Sequence, residues 1–157
     1  MRGDVASRFA SVDPVFLTNA FSAMQQLRSF APYAHWFLRF ALASVFLFHG
    51  IGKFADLAGT AQMMGGMPMA VLAAVMETGG GALVLAGAFG NDLLTRLGGL
   101  VLAPVMLGAI FMVHWGQWSF MSTESHPMGG MEFQVTLLMI SLYVLVVGND
   151  RPVPEGS

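Results

Sequence analysis

The chain has 157 residues, of which 55% are hydrophobic and 10% charged, and its mean hydropathy is +0.67. Soluble domains carry about a quarter charged residues, so this composition describes one integral membrane domain with no length left for a separate soluble one. A formal net charge of -2 without a basic cluster gives no reason to expect nucleic acid as a partner, and the absence of cysteine excludes thiol–disulfide chemistry and thiolate-held clusters in this polypeptide.

In chain order, residues 1–12 are expected to be disordered or partner-bound. The first 30 residues lack the continuous apolar core of a cleavable signal. Asp13-Pro14 is a helix start, an N-cap residue followed by the residue suited to the first helical position. On a helical wheel Phe16, Leu17, Ala20, Phe21, Ala23, Met24, Leu27 and Phe30 fill one half. Thr18, Asn19, Ser22, Gln25, Gln26 and Ser29 fill the other, with Arg28 at the boundary. This pattern predicts an amphipathic helix lying in the membrane interface, or else packed on a partner subunit.

Four apolar runs follow. A span needs about 20 residues to cross about 30 Å of hydrocarbon, and the runs read as Trp36–Ala55, Met67–Phe89, Leu97–Trp115 and Phe133–Gly148. The fourth is short and is extended back through Glu132. Pro104 predicts a kink in the third, which neighbouring helices can accommodate. Most of the thirteen Met residues lie in these runs and read as flexible packing rather than copper ligands. The expected fold is therefore all-α: an integral membrane antiparallel four-helix bundle with an N-terminal interfacial amphipathic helix. Its parts are a tail and amphipathic helix over residues 1–34, the bundle over 35–148, and a cytoplasmic tail over 149–157.

Arg2, Arg8, Arg28, Arg96 and Arg151 fall on one face of a four-span chain, with Arg39 near it, while the connections over Asp56–Gly66 and Gly116–Gly130 contain no Lys or Arg. By the positive-inside rule both termini are expected to be cytoplasmic. In the second span Ala74, Thr78, Ala82, Ala86 and Gly90 recur every four residues, a spacing that lets helices approach closely in lipid.

The candidate site comes from the ionisable residues. His49 and Lys53, Glu77, His114 and Glu132 belong to four different spans, and their depths put all of them in the non-cytoplasmic half. A charge at the centre of a span costs roughly 2.5–3.5 kcal/mol on insertion scales, so such residues face a partner or a site. Imidazole, ammonium and carboxylate beside an apolar channel suit the carbonyls and protons of a quinone headgroup. The plain structural reading is a Lys53–Glu77 ion pair that fixes helix register, with His49 bonded nearby. His114, beside Trp115 and Trp118, also fits an interfacial aromatic belt. Paired axial ligation of a b-type haem by His49 and His114 is disfavoured by their different depths. A metal set of His114, Glu124, His126 and Glu132 has no diagnostic spacing, so no metal site is assigned.

At these residues the chain resembles the DoxX family of small four-span bacterial membrane proteins. The matching pieces are Arg39 with the run Phe48-His49-Gly50-Ile51-Gly52-Lys53-Phe54, then Glu77-Thr78-Gly79-Gly80-Gly81-Ala82-Leu83. Met106, Ala109 and His114 follow, and then Gly129-Gly130-Met131-Glu132. The resemblance covers about residues 35 to 148, and the first 34 residues read as an extension. The family is related to the DoxD membrane subunit of thiosulfate:quinone oxidoreductase, and the resemblance implies a redox-linked role. The expected function is a membrane subunit of a redox complex that binds or positions quinone near the non-cytoplasmic face. The alternative is a non-catalytic assembly subunit docked on a larger membrane protein, with lipid and other subunits as partners in either case. The lack of cysteine means that any link to thiol oxidation acts through a partner.

Overall fold

A computed structural model describes residues 13–150. The expectations for residues 1–12 and for Arg2, Arg8 and Arg151 lie outside the described residues. The chain is all-α, with no strand among the described residues. It divides into a unit up to His35 and a unit from Trp36 onward.

The first unit contains α1 (Pro14–Arg28) and a short 3-10 turn over Ala31–Tyr33. Asp13 caps α1, its carboxylate accepting from Val15 N at 2.8 Å, and Pro14 opens the helix. No residue of α1 is buried.

The second unit is built from α2 (His35–Ala55), α3 (Leu57–Met64), α4 (Met67–Gly87), α5 (Asp92–Ala109) continued by a π-helical turn over Ile110–His114, and α6 (Glu132–Val147). Among the described residues three segments are long and apolar enough to cross a membrane: Ala31–Ala55, Met67–Gly87 and Asp92–His114. The fourth expected span, α6, is apolar but only 16 residues long, about 24 Å at the helical rise. Two features differ from the sequence reading. The third span starts earlier than Leu97, because Asn91 caps it by accepting from Leu94 N. The connection after α2 contains α3, started by Asp56 accepting from Gly59 N and stopped by Gly65 in the left-handed conformation. The α5 helix runs on through Pro104 and leaves α geometry only at the π turn.

Successive long helices are antiparallel. Trp36 meets Phe89, and Lys53, nearer the other end of α2, meets Glu77. Gly87 lies against Thr95 and Gly80 against Leu102, while α5 meets α6 through Gly99 on Ser141 and Leu145. The apolar core between them includes Leu42, Phe46, Val84, Leu102, Met106, Leu137 and Val144.

The small-residue row expected on α4 is only partly the contact row. Ala74 is buried and Thr78 half-buried, but Ala82, Ala86 and Gly90 are exposed. The buried positions are Ala70, Ala73, Ala74, Glu77, Gly80, Gly81, Val84 and Gly87. At 3.6 residues per turn a strict four-residue step drifts by roughly 40° each time. A row of four such steps leaves the interface, whereas alternating steps of three and four stay on it.

One end of the unit is tied together by Arg39, which is 2% exposed although it lies in an apolar helix. Its Nη1 donates to Val84 O at 3.0 Å and to Thr95 Oγ1 at 2.8 Å. Its Nη2 donates to Gly148 O at 3.1 Å and to Asn149 Oδ1 at 2.6 Å. Asn149 extends the knot, donating from Nδ2 to Gly87 O and from its backbone N to Asp92 Oδ1. Arg96 closes the end of α6 by donating to the carbonyls of Leu145, Val146 and Val147, and it pairs with Asp92 and Asp150. These carbonyls lie at a helix C-terminus, where a cation is favourable.

Hydrogen bonds to a charged donor contribute about 1.5–3 kcal/mol each, and buried acceptors left alone cost more. Arg39→Leu should therefore destabilise the protein by ~3 kcal/mol or more. Arg39→Lys should recover only part, because an ammonium lacks the planar fork. Thermal unfolding in mild detergent checks this, and equal stability of all three proteins would contradict it.

Candidate functional site

At the end opposite Arg39, the lower turns of α2 and the upper half of α4 come into close contact at Gly50. A Cβ on Gly50 would lie 2.7 Å from Thr78 N and would also strike the Thr78 hydroxyl. The absent side chain lets the helices approach, and one turn further along Lys53 Nζ meets Glu77 Oε2 at 2.7 Å. The two partners differ in access. The Glu77 side chain is 8% exposed and the Lys53 side chain 21%, so Lys53 is the more accessible partner.

Lys53 opens onto a groove of about 680 Å³, lined by Phe48, His49, Ile51, Gly52 and Asp56 and by Gly59, Thr60 and Met63 of α3. The helix that the sequence reading missed thus supplies one wall. His49 is exposed, its ring edge-on to Phe48 at 5.5 Å between centroids, and it reaches the groove one turn before Lys53. The groove is apolar along Phe48, Ile51 and Met63, with His49, Lys53, Asp56 and Thr60 as its polar points. That combination suits a flat ligand with hydrogen-bond acceptors and an apolar body.

His114 and Glu132 belong to a different arrangement. His114 is buried, and its Nδ1 donates to Gly129 O at 2.9 Å. A carbonyl can only accept, so in the neutral ring Nε2 is the acceptor, and it takes a hydrogen bond from Gln134 Nε2 at 2.9 Å. Glu132 accepts from Phe120 N through Oε2 at 3.3 Å. Both residues therefore secure the loop between α5 and α6 rather than meeting Lys53. The five residues expected at one site form two groups: Lys53, Glu77 and His49 about the groove, and His114 and Glu132 in the loop.

This placement bears on the other ligands considered. With both ring nitrogens engaged, His114 has none to offer a haem iron. Among the described residues no three His, Asp or Glu side chains converge to hold a metal ion. The set of His114, Glu124, His126 and Glu132 does not gather. Sequence reasoning also missed Gln134 and Asn149, whose amides complete the two ends; a polar amide beside an apolar run was the available signal.

The DoxX family model matches residues 34–115, slightly more than half of the chain. The chain belongs to the DoxX family. The match contains Arg39, His49, Lys53, Glu77 and His114 and stops before Glu132, Gln134 and Asn149. Bacillus subtilis (strain 168) has a relative named "Putative oxidoreductase CatD", which is 34% identical over 116 residues, covering 71% of this chain and 77% of that protein. An uncharacterized protein of Haemophilus influenzae (strain ATCC 51907 / DSM 11121 / KW20 / Rd) is 33% identical over 96 residues, 58% of this chain and 66% of its own. No solved structure matches the chain.

Removing one member of a buried ion pair leaves the other uncompensated, at a typical cost of about 3–5 kcal/mol, while replacing both can be nearly neutral. Lys53→Met and Glu77→Gln should each lower the unfolding temperature in detergent, and Lys53→Met/Glu77→Leu should restore most of the loss. Additive losses in the double variant would show that the two side chains are not coupled.

Proposed function

We propose that the protein is a membrane subunit of a redox complex and holds a quinone headgroup in the groove beside Lys53. The observation that carries this reading is an ammonium 2.7 Å from a carboxylate, within apolar helices, that is nonetheless open to a ligand-sized groove. Ionisable residues at such depth ordinarily mark substrate or proton paths. The printed name of the Bacillus subtilis relative, an oxidoreductase, supports the redox class.

A quinone takes up two electrons and two protons on reduction, and its carbonyl oxygens accept hydrogen bonds. An ammonium has three donors, and Glu77 occupies one of those on Lys53. The remaining two can be offered to a carbonyl in the groove, and His49 supplies a second polar contact on the same helix face. Glu77 orients the Lys53 ammonium by accepting one of its hydrogen bonds. Phe48 and Ile51, both exposed, offer an apolar path for a tail. In this reading the electrons come from a partner subunit, and this chain binds and orients.

The architecture that goes with this role is an antiparallel four-helix bundle in the bacterial inner membrane, both termini cytoplasmic, with α6 as a short fourth span. Arg39 and Arg96 at one end and Lys53 alone near the other support that orientation. A helix of 16 residues can cross where the bilayer thins locally or flanking residues reach the interface. Residues 1–34 form the extension and 149–157 the tail.

A second reading, a non-catalytic assembly subunit, is favoured by α1. Phe16, Leu17, Phe21, Met24 and Leu27 are all more than half exposed and await a cover, whether lipid or another protein. The test is quinone content after purification in mild detergent. The double variant Lys53→Met/Glu77→Leu should fold and lose co-purified quinone, whereas the unaltered protein retains it. Full quinone content in a stable double variant would reduce the pair to a structural one. A stoichiometric partner without quinone would favour the assembly reading.

A further inference from the structure

The loop between α5 and α6 exposes large apolar side chains among small polar ones. Between residues 115 and 131 the only formally charged side chain is Glu124. The other polar groups are largely satisfied by one another. Gln117 Nε2 donates to the carbonyls of Ser119 and Met121 at 2.9 and 2.6 Å, and Gln117 Oε1 accepts from Thr123 Oγ1 at 2.7 Å. His126 Nε2 donates to Trp115 O at 3.0 Å, and its Nδ1 takes the Ser125 hydroxyl at 3.1 Å.

The backbone is closed in the same way. Gly130 N donates to Ser119 O, Met131 N to Gln117 O and Glu132 N to Trp118 O, at 2.8–2.9 Å. His114 pins the far end through Gly129 O. Gly129, at φ +76, admits the Phe120 carbonyl where a Cβ would collide with it. Trp115, Trp118, Phe120, Met121 and Met128 are each more than half exposed.

We propose that this loop is a lipid-binding surface, seated in the interfacial layer of the membrane face opposite Arg39. Three observations point to lipid. The loop continues directly from the candidate span Asp92–His114, so its first residues lie at the end of the hydrocarbon layer. Both of its ends, His114 and Glu132, lie at that same face. Its exposed residues include two Trp, whose apolar ring and single N–H suit the headgroup boundary, and internal satisfaction of polar groups is what a water-poor environment demands of non-helical backbone. The inference rests on α5 spanning the membrane and is independent of quinone binding.

The chain's natural lack of cysteine makes the test clean. Full-length protein is placed in phosphatidylcholine nanodiscs with Trp118 as the sole tryptophan, using Trp36→Phe/Trp115→Phe. Lipid brominated near the headgroup should quench most of the Trp118 emission, and aqueous iodide should quench little. A separate Met121→Cys protein, spin-labelled, should collide more with oxygen than with a water-soluble nickel chelate; this variant decides alone if the tryptophan variant does not fold. Dominant iodide quenching, or greater nickel access, would place the loop in water and overturn the proposal. Protection of Trp118 from both quenchers would mean that protein covers it and would overturn it equally.

Discussion

A buried guanidinium holds one end of this protein together. Arg39 reaches acceptors on α4, on α5 and at the end of α6 from its position on α2, so four helices are fixed relative to one another by one side chain. In lipid, apolar surfaces gain little by meeting each other, and helix association leans on close packing and interhelical hydrogen bonds. A cation with five donors in a rigid fork is suited to that task. The acceptors it uses include backbone carbonyls at Val84 and Gly148, near the ends of α4 and α6.

The opposite end is built on another plan. There the charge is paired with a carboxylate, and Gly50 brings the helices close enough for the pair to form. Arg39 has all its reach consumed within the fold, whereas Lys53 retains access to a groove. On that contrast rests the proposal that Lys53, unlike Arg39, belongs to a site. The His114 and Glu132 contacts then form a third feature, which secures the loop between α5 and α6.

The apolar runs made α2 and α4 legible to within a few residues, since nothing in them competes with the helical period. Lys53 and Glu77 stood out as mutual partners because their surroundings hold few other charges, and their polar atoms lie 2.7 Å apart. The role of Arg39 was not legible. Its donors go partly to carbonyls, which every residue has and no sequence pattern marks, so it read only as a charge near the membrane face. Helix α3 escaped notice for a similar reason: eight residues give too little periodicity, and its capping signals, Asp56 and Gly65, lay inside a stretch that also reads as a loop. The small residues of α4 misled in detail because a four-residue repeat follows the eye better than it follows the helix.

The most direct test of the central claim is photolabelling in native membranes with a quinone analogue carrying an azide on its ring, followed by peptide mapping. The account predicts adducts within residues 48–63, the walls of the groove, and their loss when unlabelled quinone is added. Adducts confined to other helices, or labelling that unlabelled quinone does not displace, would contradict it.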